Sequence, residues 1–523
     1  MIRLSSYVAG RWFEGNGPGA LLINPATEEV MAEANAAGVD FGAVLDHARK
    51  AGGPALRQLS FKERAALLMT LSKLFHAHRE ELLDLGQANG GGTRGDAKFD
   101  VDGAIGTLAA YSVFGDKLAE RTGNRKSILD GEMFALTRSP RFVGQHLWTT
   151  RPGVAVHINA FNFPAWGTFE KLAVAWLAGV PVITKPATST ALLTWRMVQL
   201  MVESGKFPEG AIQLVCGSTG DLLDRLGPMD SLAFTGSANT GTMLRSNPNL
   251  LRNSVRVNVE ADSLNAMVLG PDVEVGSDLW SAALRLIVQD MTQKTGQKCT
   301  AIRRVLVPAD RAEELGEALV DALSGLKVGN PMAGGTLGPV ATMSQQRDVL
   351  AGIATLAAEG KLLCGGSSRV DGVDAPAGKG AYVAPTVILM KDGAAPGKVH
   401  DLEIFGPSVS LLPYDGSAAA AACILSMGQG SLVSTVCSDQ RPWLEELVNG
   451  AAAWLGRMLL LSSKIADSAT PPGMVLPALV HGGPGRAGGG EELGGERGLC
   501  FYMQRTALQG DQVVLRKILG LEG

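Results

Sequence analysis

The sequence predicts an α/β protein with more than one domain. At 523 residues, the chain is longer than a single hydrophobic core usually supports, so two or more separate cores are expected. From Val154 onward, short apolar runs alternate with segments of helical length, and a second alternating block covers about 264–407. Strands and helices that alternate at this spacing indicate parallel βαβ units with right-handed crossovers.

The same alternation predicts the individual elements. In the first block we expect strands at 154–159, 180–184, 212–216 and 231–235, with helices at 165–178, 190–204 and around Leu222. In the second block we expect a helix near 312–326 and a strand near 386–390. Residues 1–128 contain hairpin-like and helical stretches, including a helix around 61–87, and should pack on the first block. The segment 416–479 is rich in Ala, Leu and Ser, and its composition predicts no definite elements.

Charge and hydropathy narrow the class of partner. The formal net charge is −4 with no long block of one sign, so neither nucleic acid nor an acidic membrane surface is a predicted partner. No apolar run approaches the roughly 18 residues of a membrane span. The first twelve residues lack the apolar core of a secretory signal, so we expect a cytoplasmic protein that acts on a small molecule.

The cysteines do not form a recognisable framework. Six of them are scattered along the chain without a CxxC pair, at positions 216, 299, 364, 423, 437 and 500. This distribution argues against both a disulfide scaffold and a structural zinc site. We therefore expect reduced thiols and no metal.

Two segments predict a nucleotide site. The strand at 231–235 runs into small residues that begin with Gly236 and Ser237, where a cofactor phosphate can approach the backbone N–H groups of a helix N-terminus. The segment lacks the GxGxxG spacing, and a plain strand-to-helix turn is an equally good interpretation. Lys185 follows an earlier strand, at the edge where ligands lie in doubly wound sheets. The alternative for Lys185 is a solvated loop lysine.

Three residues are candidates for the chemistry. Cys299 is flanked by polar and small residues, whereas a lone cysteine is more often buried and inert. Glu260 offers a carboxylate as a base for water or for the thiol, although such a carboxylate is often only a surface group. Asn162 ends an apolar run near a predicted helix start, where its amide can donate to an oxyanion or merely cap the helix.

Together these segments resemble the aldehyde dehydrogenase superfamily over nearly the whole chain. The resemblance implies a Rossmann-type cofactor domain, a second α/β catalytic domain and a small β oligomerisation arm. The implied boundaries are 1–128 and 152–262 for the cofactor domain, 263–480 for the catalytic domain, and 129–151 with 481–523 for the arm and C-terminal segment. The family assembles as dimers or tetramers, so we expect a homodimer or homotetramer.

The resemblance also implies roles for the candidate residues. Cys299 matches the nucleophile of the G-Q-x-C motif, and Glu260 matches the general base. Asn162 matches the oxyanion-binding asparagine of the N-F-P motif, and Lys185 matches the ribose-binding lysine.

Two further motifs carry implied roles. Residues 403–407 read E-I-F-G-P, in which Glu403 would bond the nicotinamide ribose and Phe405 would pack near the ring. Residues 491–494 read E-E-L-G and are similar to the R-E-L-G segment. Glu492 would there form a proton relay with Lys171.

Two departures from the family pattern affect the cofactor. Glu260 is followed by Ala261 and Asp262 in place of Leu-Gly-Gly, so the backbone should fit differently against the nicotinamide. Thr188 stands where NAD-selective members place a glutamate. A carboxylate there would repel a 2′-phosphate and threonine can bond one, so we predict NADP, with NAD as the alternative.

The segments 258–265 and 481–490 look like one branch of the family, which acts in aerobic degradation of benzoate and phenylacetate. This likeness implies a CoA-linked semialdehyde as substrate, of the 3,4-dehydroadipyl-CoA kind. A CoA-acylating or a general aliphatic aldehyde dehydrogenase is the alternative, and Glu260 weighs against the former because a base for water would be superfluous. A thiol hydrolase without a redox step and a catalytically silent binding protein are the remaining alternatives.

Overall fold

The computed structural model describes residues 1–123, 125–490 and 494–521. Within these ranges the strands, in chain order, are β1 (Ile2–Leu4), β2 (Ser6–Val8), β3 (Arg11–Phe13), β4 (Ala20–Ile23), β5 (Val30–Ala34), β6 (Ile128–Ala135), β7 (Phe142–Thr150), β8 (Ala155–Ile158), β9 (Val182–Lys185), β10 (Ile212–Leu214), β11 (Ser231–Thr235), β12 (Arg256–Glu260), β13 (Ala266–Leu269), β14 (Arg304–Pro308), β15 (Gly360–Cys364), β16 (Thr386–Met390), β17 (Ser408–Tyr414), β18 (Ser431–Cys437), β19 (Leu455–Leu461) and β20 (Met503–Asp511). The α-helices are α1 (Phe41–His47), α2 (Gly53–Gln58), α3 (Phe61–Ala77), α4 (Arg79–Gly90), α5 (Arg94–Thr122), α6 (Trp166–Ala178), α7 (Ala191–Ser204), α8 (Ala238–Arg245), α9 (Pro248–Arg252), α10 (Asp278–Thr292), α11 (Ala312–Ser324), α12 (Met343–Ala357), α13 (Ala418–Met427), α14 (Arg441–Ala451), α15 (Gly495–Phe501) and α16 (Gln512–Ile518).

The first large sheet has the strand order β12-β11-β8-β9-β10-β2-β3. Its strands β8 to β12 run parallel, whereas β2 pairs antiparallel with β10. The strands predicted near 154–159, 180–184, 212–216 and 231–235 are thereby confirmed, with ends that differ by up to two residues. In register, Thr235 lies opposite Glu260 and Ile158 lies opposite Lys185. The carboxyl ends of four strands therefore meet at one edge, which is where ligands bind in such sheets.

The helices α3, α5, α6 and α7 pack on this sheet around one core. Helix α6 is apolar on nearly every side and almost wholly buried, which is typical of a helix inside a large core. The single helix predicted for 61–87 is wrong. The helix is interrupted at His78, whose φ of −106° and ψ of 15° are not helical, so two helices, α3 and α4, form instead. Neither glycine nor proline marks the break, so no local signal in the sequence indicated it.

The second large sheet has the order β15-β16-β17-β14-β13-β18-β19. All neighbouring pairs are parallel except β15 with β16. The predicted helix near 312–326 and strand near 386–390 are confirmed as α11 and β16. The segment 416–479, for which no elements were predicted, contains α13, β18, α14 and β19 and so completes one side of this sheet. Every residue of β18 is buried, so it shows no polar alternation that would mark a strand.

A small antiparallel sheet has the order β20-β7-β6. The nine residues of β20 pair with β7 from Met503 opposite Thr150 to Asp511 opposite Phe142. Strands β6 and β7 lie within 128–150, close to the range 129–151 predicted for the arm, and the C-terminal strand β20 pairs with β7 within the same chain. Phe134 and Phe142 of this arm are exposed.

No described helix is both long and apolar enough to cross a membrane. All six cysteines are free in the structure.

Candidate active site

Two clefts meet at the carboxyl edge of the first large sheet. The first cleft has an open volume of about 900 Å³, solvent space included, and its walls include Phe163, Trp166, Glu170, Lys171, Val475, Val480 and His481. The second cleft has an open volume of about 1350 Å³, solvent space included, and its walls include Lys185, Gly236, Ser237, Asp262, Glu403 and Phe405. Asn162, Glu260 and Cys299 line both clefts. The three residues with predicted chemistry therefore stand together at the junction, although they come from distant parts of the chain.

Cys299 lies in a loop that is fixed from both sides. The loop follows α10, and the φ values of Lys294 and Thr295 are 53° and 54°, a left-handed conformation that costs energy in residues other than glycine. The buried ammonium of Lys298 is 2.6 Å from the Asp290 carboxylate on α10. Lys298 is thus occupied by an ion pair and anchors the loop to the helix.

Asn265 holds the other side of the same loop. Its side-chain Nδ2 donates to the backbone oxygen of Cys299 at 2.8 Å and to that of Ala301 at 2.9 Å. Its Oδ1 accepts from Ser263 Oγ at 2.5 Å and from the Val433 backbone N–H at 3.1 Å. Because all these groups are buried or partly buried, the network restricts the position of the cysteine backbone.

Arg303 links this loop to the segment that contains Glu403. Its guanidinium donates to the backbone oxygens of Gly296, Lys298 and Gly406 at 2.8, 3.1 and 3.1 Å. It also pairs with Glu403 at 3.3 Å. A Cβ at Gly296 would lie 2.2 Å from the Gly406 oxygen, so this close approach requires glycine. Sequence reasoning missed Arg303.

The surroundings of Cys299 disfavour the thiolate form. Burial raises its pKa well above the usual range, and the nearby Glu260 carboxylate, which accepts a hydrogen bond from the thiol, raises it further. The nearby charge of Lys171 lowers the pKa of the thiol. The Glu260 carboxylate therefore lies where it can accept the thiol proton.

Asn162 is not a helix cap. Helix α6 begins at Trp166, and its N-cap position is Ala165. The Asn162 Nδ2 donates to the Gln297 backbone oxygen at 3.0 Å, which orients the amide beside the cysteine loop. A primary amide has two N–H donors, so one of them is left for a ligand oxygen.

His481 is a member of the site that sequence reasoning did not identify as functional. One ligand atom each from Glu260, Cys299 and His481 lies within 4.8 Å of the other two. Burial lowers the pKa of His481, so the imidazole is neutral near pH 7. The histidine opens the segment 481–490, which in the sequence indicates only a likeness to one family branch.

The glycines of that segment explain how it reaches the site. The Ala261 backbone N–H donates to the Ala487 oxygen at 2.9 Å. A Cβ at Gly488 would lie 1.9 Å from the Val259 oxygen, and the φ of this glycine is +121°. Only glycine permits such an approach in such a conformation. The run of glycines in 481–490 was therefore the sequence feature that could have indicated that this segment packs closely against another part of the chain.

A buried carboxyl group and a lysine stand together in the first cleft. Burial raises the pKa of Glu170 to about 7, Lys171 lowers it, and Glu260 raises it further. The Glu170 Oε1 has no hydrogen-bond partner among the described residues. Lys171 was predicted and Glu170 was not. Glu492, the predicted relay partner of Lys171, lies outside the described residues.

The second cleft has features that suit a dinucleotide. Lys185 is half-buried, which lowers its pKa, and no hydrogen bond or ion pair joins its ammonium to a described residue. The buried Thr235 Oγ1 likewise lacks a described partner. Both polar groups are therefore left for a ligand.

The turn between β11 and α8 also lies in this cleft. Ser237 caps α8, because its Oγ accepts from the Thr240 N–H at 3.3 Å. Asp262, the departure noted after Glu260, accepts from the Ala238 N–H at 2.9 Å. One of the free amides at the helix N-terminus is therefore already bonded to a carboxylate, so a phosphate meets fewer donors there than the sequence implied.

Glu403 and Phe405 line the second cleft, and Thr188 does not. Glu403 accepts from the Ser263 N–H at 3.0 Å in addition to its pair with Arg303, and burial raises its pKa to about 7. Phe405 packs edge-on against Phe161, with 5.8 Å between ring centroids. Thr188 begins a short 3₁₀ turn, and the neighbouring Ala187 lines the cleft instead.

Comparisons with known proteins agree with this geometry. The model of the aldehyde dehydrogenase family matches residues 12–454. The chain is 45% identical over 484 residues to 3,4-dehydroadipyl-CoA semialdehyde dehydrogenase of Aromatoleum evansii, covering 92% of this chain and 93% of the relative. The aldehyde dehydrogenase of Bacillus cereus, solved as a point mutant, superposes with a TM-score of 0.80 at 23% identity, over 97% of this chain and 96% of that one. Aldehyde dehydrogenase C from Pseudomonas syringae, solved as a cysteine-to-alanine mutant with NAD⁺ and octanal, gives 0.79 at 24% identity, over 96% of each chain.

Proposed function

Because this chain belongs to the aldehyde dehydrogenase family, we propose that it oxidises a CoA-linked semialdehyde to the carboxylic acid, with NADP as electron acceptor and Cys299 as nucleophile. The observation that carries this proposal is the junction of the two clefts at Asn162, Glu260 and Cys299. The substrate class is supported by the 45% identical relative from Aromatoleum evansii, whose name specifies 3,4-dehydroadipyl-CoA semialdehyde.

The residues of the second cleft fit a nicotinamide dinucleotide. The unpaired ammonium of Lys185 and the unpaired hydroxyl of Thr235 suit ribose or phosphate oxygens. Glu403 and Phe405 would hold the nicotinamide end, and Gly236 and Ser237 would approach the phosphates. When bound, the cofactor supplies the acceptor for the two electrons that the substrate loses.

The first half of the reaction forms a bond to sulfur. Glu260 accepts the thiol proton of Cys299, and the thiolate attacks the aldehyde carbon to give a thiohemiacetal. Its oxyanion accepts hydrogen bonds from Asn162 Nδ2 and from the Cys299 backbone N–H. The first cleft, where the rest of the aldehyde would lie, is lined by the apolar side chains of Phe163, Trp166, Val475 and Val480.

The second half releases the acid. Oxidation leaves a thioester on Cys299. This thioester hydrolyses slowly until a base activates the attacking water. Glu260, after giving up its proton, removes a proton from the attacking water, and the thiol leaves. We assign the outward proton transfer to Lys171 and Glu492. Glu170, whose pKa lies near 7 beside Lys171, is suited to join that relay.

The preference for NADP depends on Thr188. A carboxylate at this position would repel a 2′-phosphate, whereas threonine does not. Thr188 is half-buried and lies beside the cleft wall rather than in it. Its effect on a 2′-phosphate in the cleft is therefore electrostatic and not a direct hydrogen bond. A kcat/KM for NAD equal to or above that for NADP would refute this part of the proposal.

The experiment that tests the function compares aldehydes and cofactors directly. Purified protein is assayed with a CoA-linked semialdehyde and with free aliphatic aldehydes, each with NADP and with NAD, and the acid is quantified. We expect the highest kcat/KM for the CoA-linked substrate with NADP, and no activity for Cys299→Ala. Higher kcat/KM for free aldehydes would contradict the substrate class.

The same assay separates the alternatives. A CoA-acylating enzyme would form NADPH only when free CoA is added. A thiol hydrolase would bind no nicotinamide cofactor and would act on thioesters without a redox step. The predicted cytoplasmic location and the homodimer or homotetramer remain predictions, and light scattering on the purified protein measures the assembly.

A further inference from the structure

The cluster of Glu260, Cys299 and His481 has the composition of a zinc site. One ligand atom from each of the three residues lies within 4.8 Å of the other two. We infer that these three side chains bind Zn²⁺ in the first cleft and that the bound ion reversibly blocks the nucleophile. This inference concerns the free protein and does not depend on the oxidation proposed above.

The distances are compatible with a tetrahedral ion. Zinc bonds thiolate sulfur at about 2.3 Å and imidazole nitrogen or carboxylate oxygen at about 2.0–2.2 Å, so its ligand atoms stand roughly 3.3–3.8 Å apart. The three atoms must therefore approach by at most about 1.5 Å, which side-chain rotation can supply. Glu260 and Cys299 are half-buried and line an open cleft, so water can occupy the fourth position.

The donor set selects the metal. A thiolate and an imidazole favour zinc, whereas magnesium prefers oxygen ligands in an octahedral arrangement. The thiolate and the Glu260 carboxylate together neutralise the charge of Zn²⁺. Lys171 and Arg457 act on this site with positive charge, and Glu170 acts with negative charge, so the surrounding charges partly cancel.

The position distinguishes this site from structural zinc. Its ligands come from the end of β12, from the loop after α10 and from the segment that begins at 481. The hydrogen bonds of Asn265 and Arg303 hold the loop of Cys299 in place without a metal. An ion there would occupy both the sulfur that attacks and the carboxylate that accepts its proton, which predicts inhibition rather than stabilisation of the fold.

The test measures protection of the thiol, so it needs no substrate. Metal-free full-length protein is treated with iodoacetamide in thiol-free buffer, with Zn²⁺ or with Mg²⁺, and alkylation of each cysteine is followed by peptide mass spectrometry. At Zn²⁺ tenfold above its Kd, alkylation of Cys299 should slow about tenfold, while the exposed Cys423 should react as before. Mg²⁺ should protect neither cysteine. Unchanged alkylation of Cys299 in Zn²⁺, or equal protection by Mg²⁺, overturns the inference.

Variants of the histidine identify the site. His481→Gln and His481→Phe should each lose most of the protection by Zn²⁺, and competition with a chromophoric zinc indicator should show the loss of one bound ion. His76→Gln, at an exposed position on α3, is the matched control and should keep both. Protection of the His481 variants equal to that of the unaltered protein refutes the assignment. A protein that oxidises no aldehyde would still show this protection, so the two proposals fail separately.

Discussion

Replacing Glu260 with glutamine should change two measurable rates in opposite directions. Glu260→Gln keeps the shape of the side chain and removes both its charge and its basicity. Loss of a general base typically lowers a rate by about 10²–10⁴. Of the two steps that use Glu260, water activation depends on the base more than thiol deprotonation does, because a thiol ionises far more readily than water. Steady-state formation of acid should therefore fall by that factor, and the thioester on Cys299 should accumulate.

The same change should make the thiol of free protein more reactive. Glu260 lies within 4.8 Å of the Cys299 sulfur and raises the pKa of that thiol. A unit charge at this distance is worth about 0.9 kcal/mol in a water-like dielectric and about 3.5 kcal/mol at an effective dielectric of 20. Because both groups are half-buried, alkylation of Cys299 near neutral pH should accelerate by about fourfold to a few hundredfold.

Stopped-flow and alkylation assays measure the two effects. A pre-steady-state burst of NADPH followed by slow turnover is expected for Glu260→Gln, and iodoacetamide should modify Cys299 faster than in the unaltered protein. Cys423, which is exposed, serves as the internal reference for alkylation. Normal steady-state turnover together with unchanged alkylation of Cys299 would refute both the base assignment and the electrostatic account.

Three other substitutions test the remaining assignments. Asn162→Ala removes one oxyanion donor and should lower kcat about 10²–10³-fold, and a rate within twofold of normal would exclude that role. Thr188→Glu should lower the NADP-to-NAD ratio of kcat/KM by about tenfold, or 1.4 kcal/mol, whereas Ser189→Glu, the adjacent control, should change it less. Glu170→Gln removes a carboxyl whose pKa is raised to about 7 from 4.5, so its contribution to stability is present below pH 4.5 and lost as pH rises to 7. In urea titrations, the free energy of unfolding of the variant minus that of the unaltered protein should therefore increase from pH 5 to pH 7.5. Parallel pH profiles of the two proteins would contradict the buried-carboxyl account.

Much of the fold followed from local pattern. The strand at Ser231–Thr235 was predicted to the residue, because an apolar run bounded by turn residues has few other interpretations. The break at His78 was not predicted, because α3 and α4 each fit a helical pattern. The segment that forms β18 was also missed, since a strand buried on both faces has no polar alternation.

The site was predicted only where the motifs are local. Asn162, Glu260 and Cys299 could be selected because each lies in a short segment of distinctive composition. Arg303 and His481 could not be selected, because their importance comes from contacts made across the fold. The pair of Arg303 with Glu403 spans 100 positions, and the histidine meets the cysteine only through close backbone approach of a glycine-rich segment.

The guanidinium of Arg303 ties the backbone around the reactive sulfur to the wall against which the nicotinamide is expected to rest. It bonds carbonyl groups on both sides of that boundary, and its cation lies 5.2 Å from the centre of the Phe405 ring. We therefore expect a ligand that displaces Phe405 to shift the loop that carries the Cys299 thiol as well. Binding of the nicotinamide beside Phe405 and positioning of the Cys299 thiol are therefore expected to be coupled through Arg303.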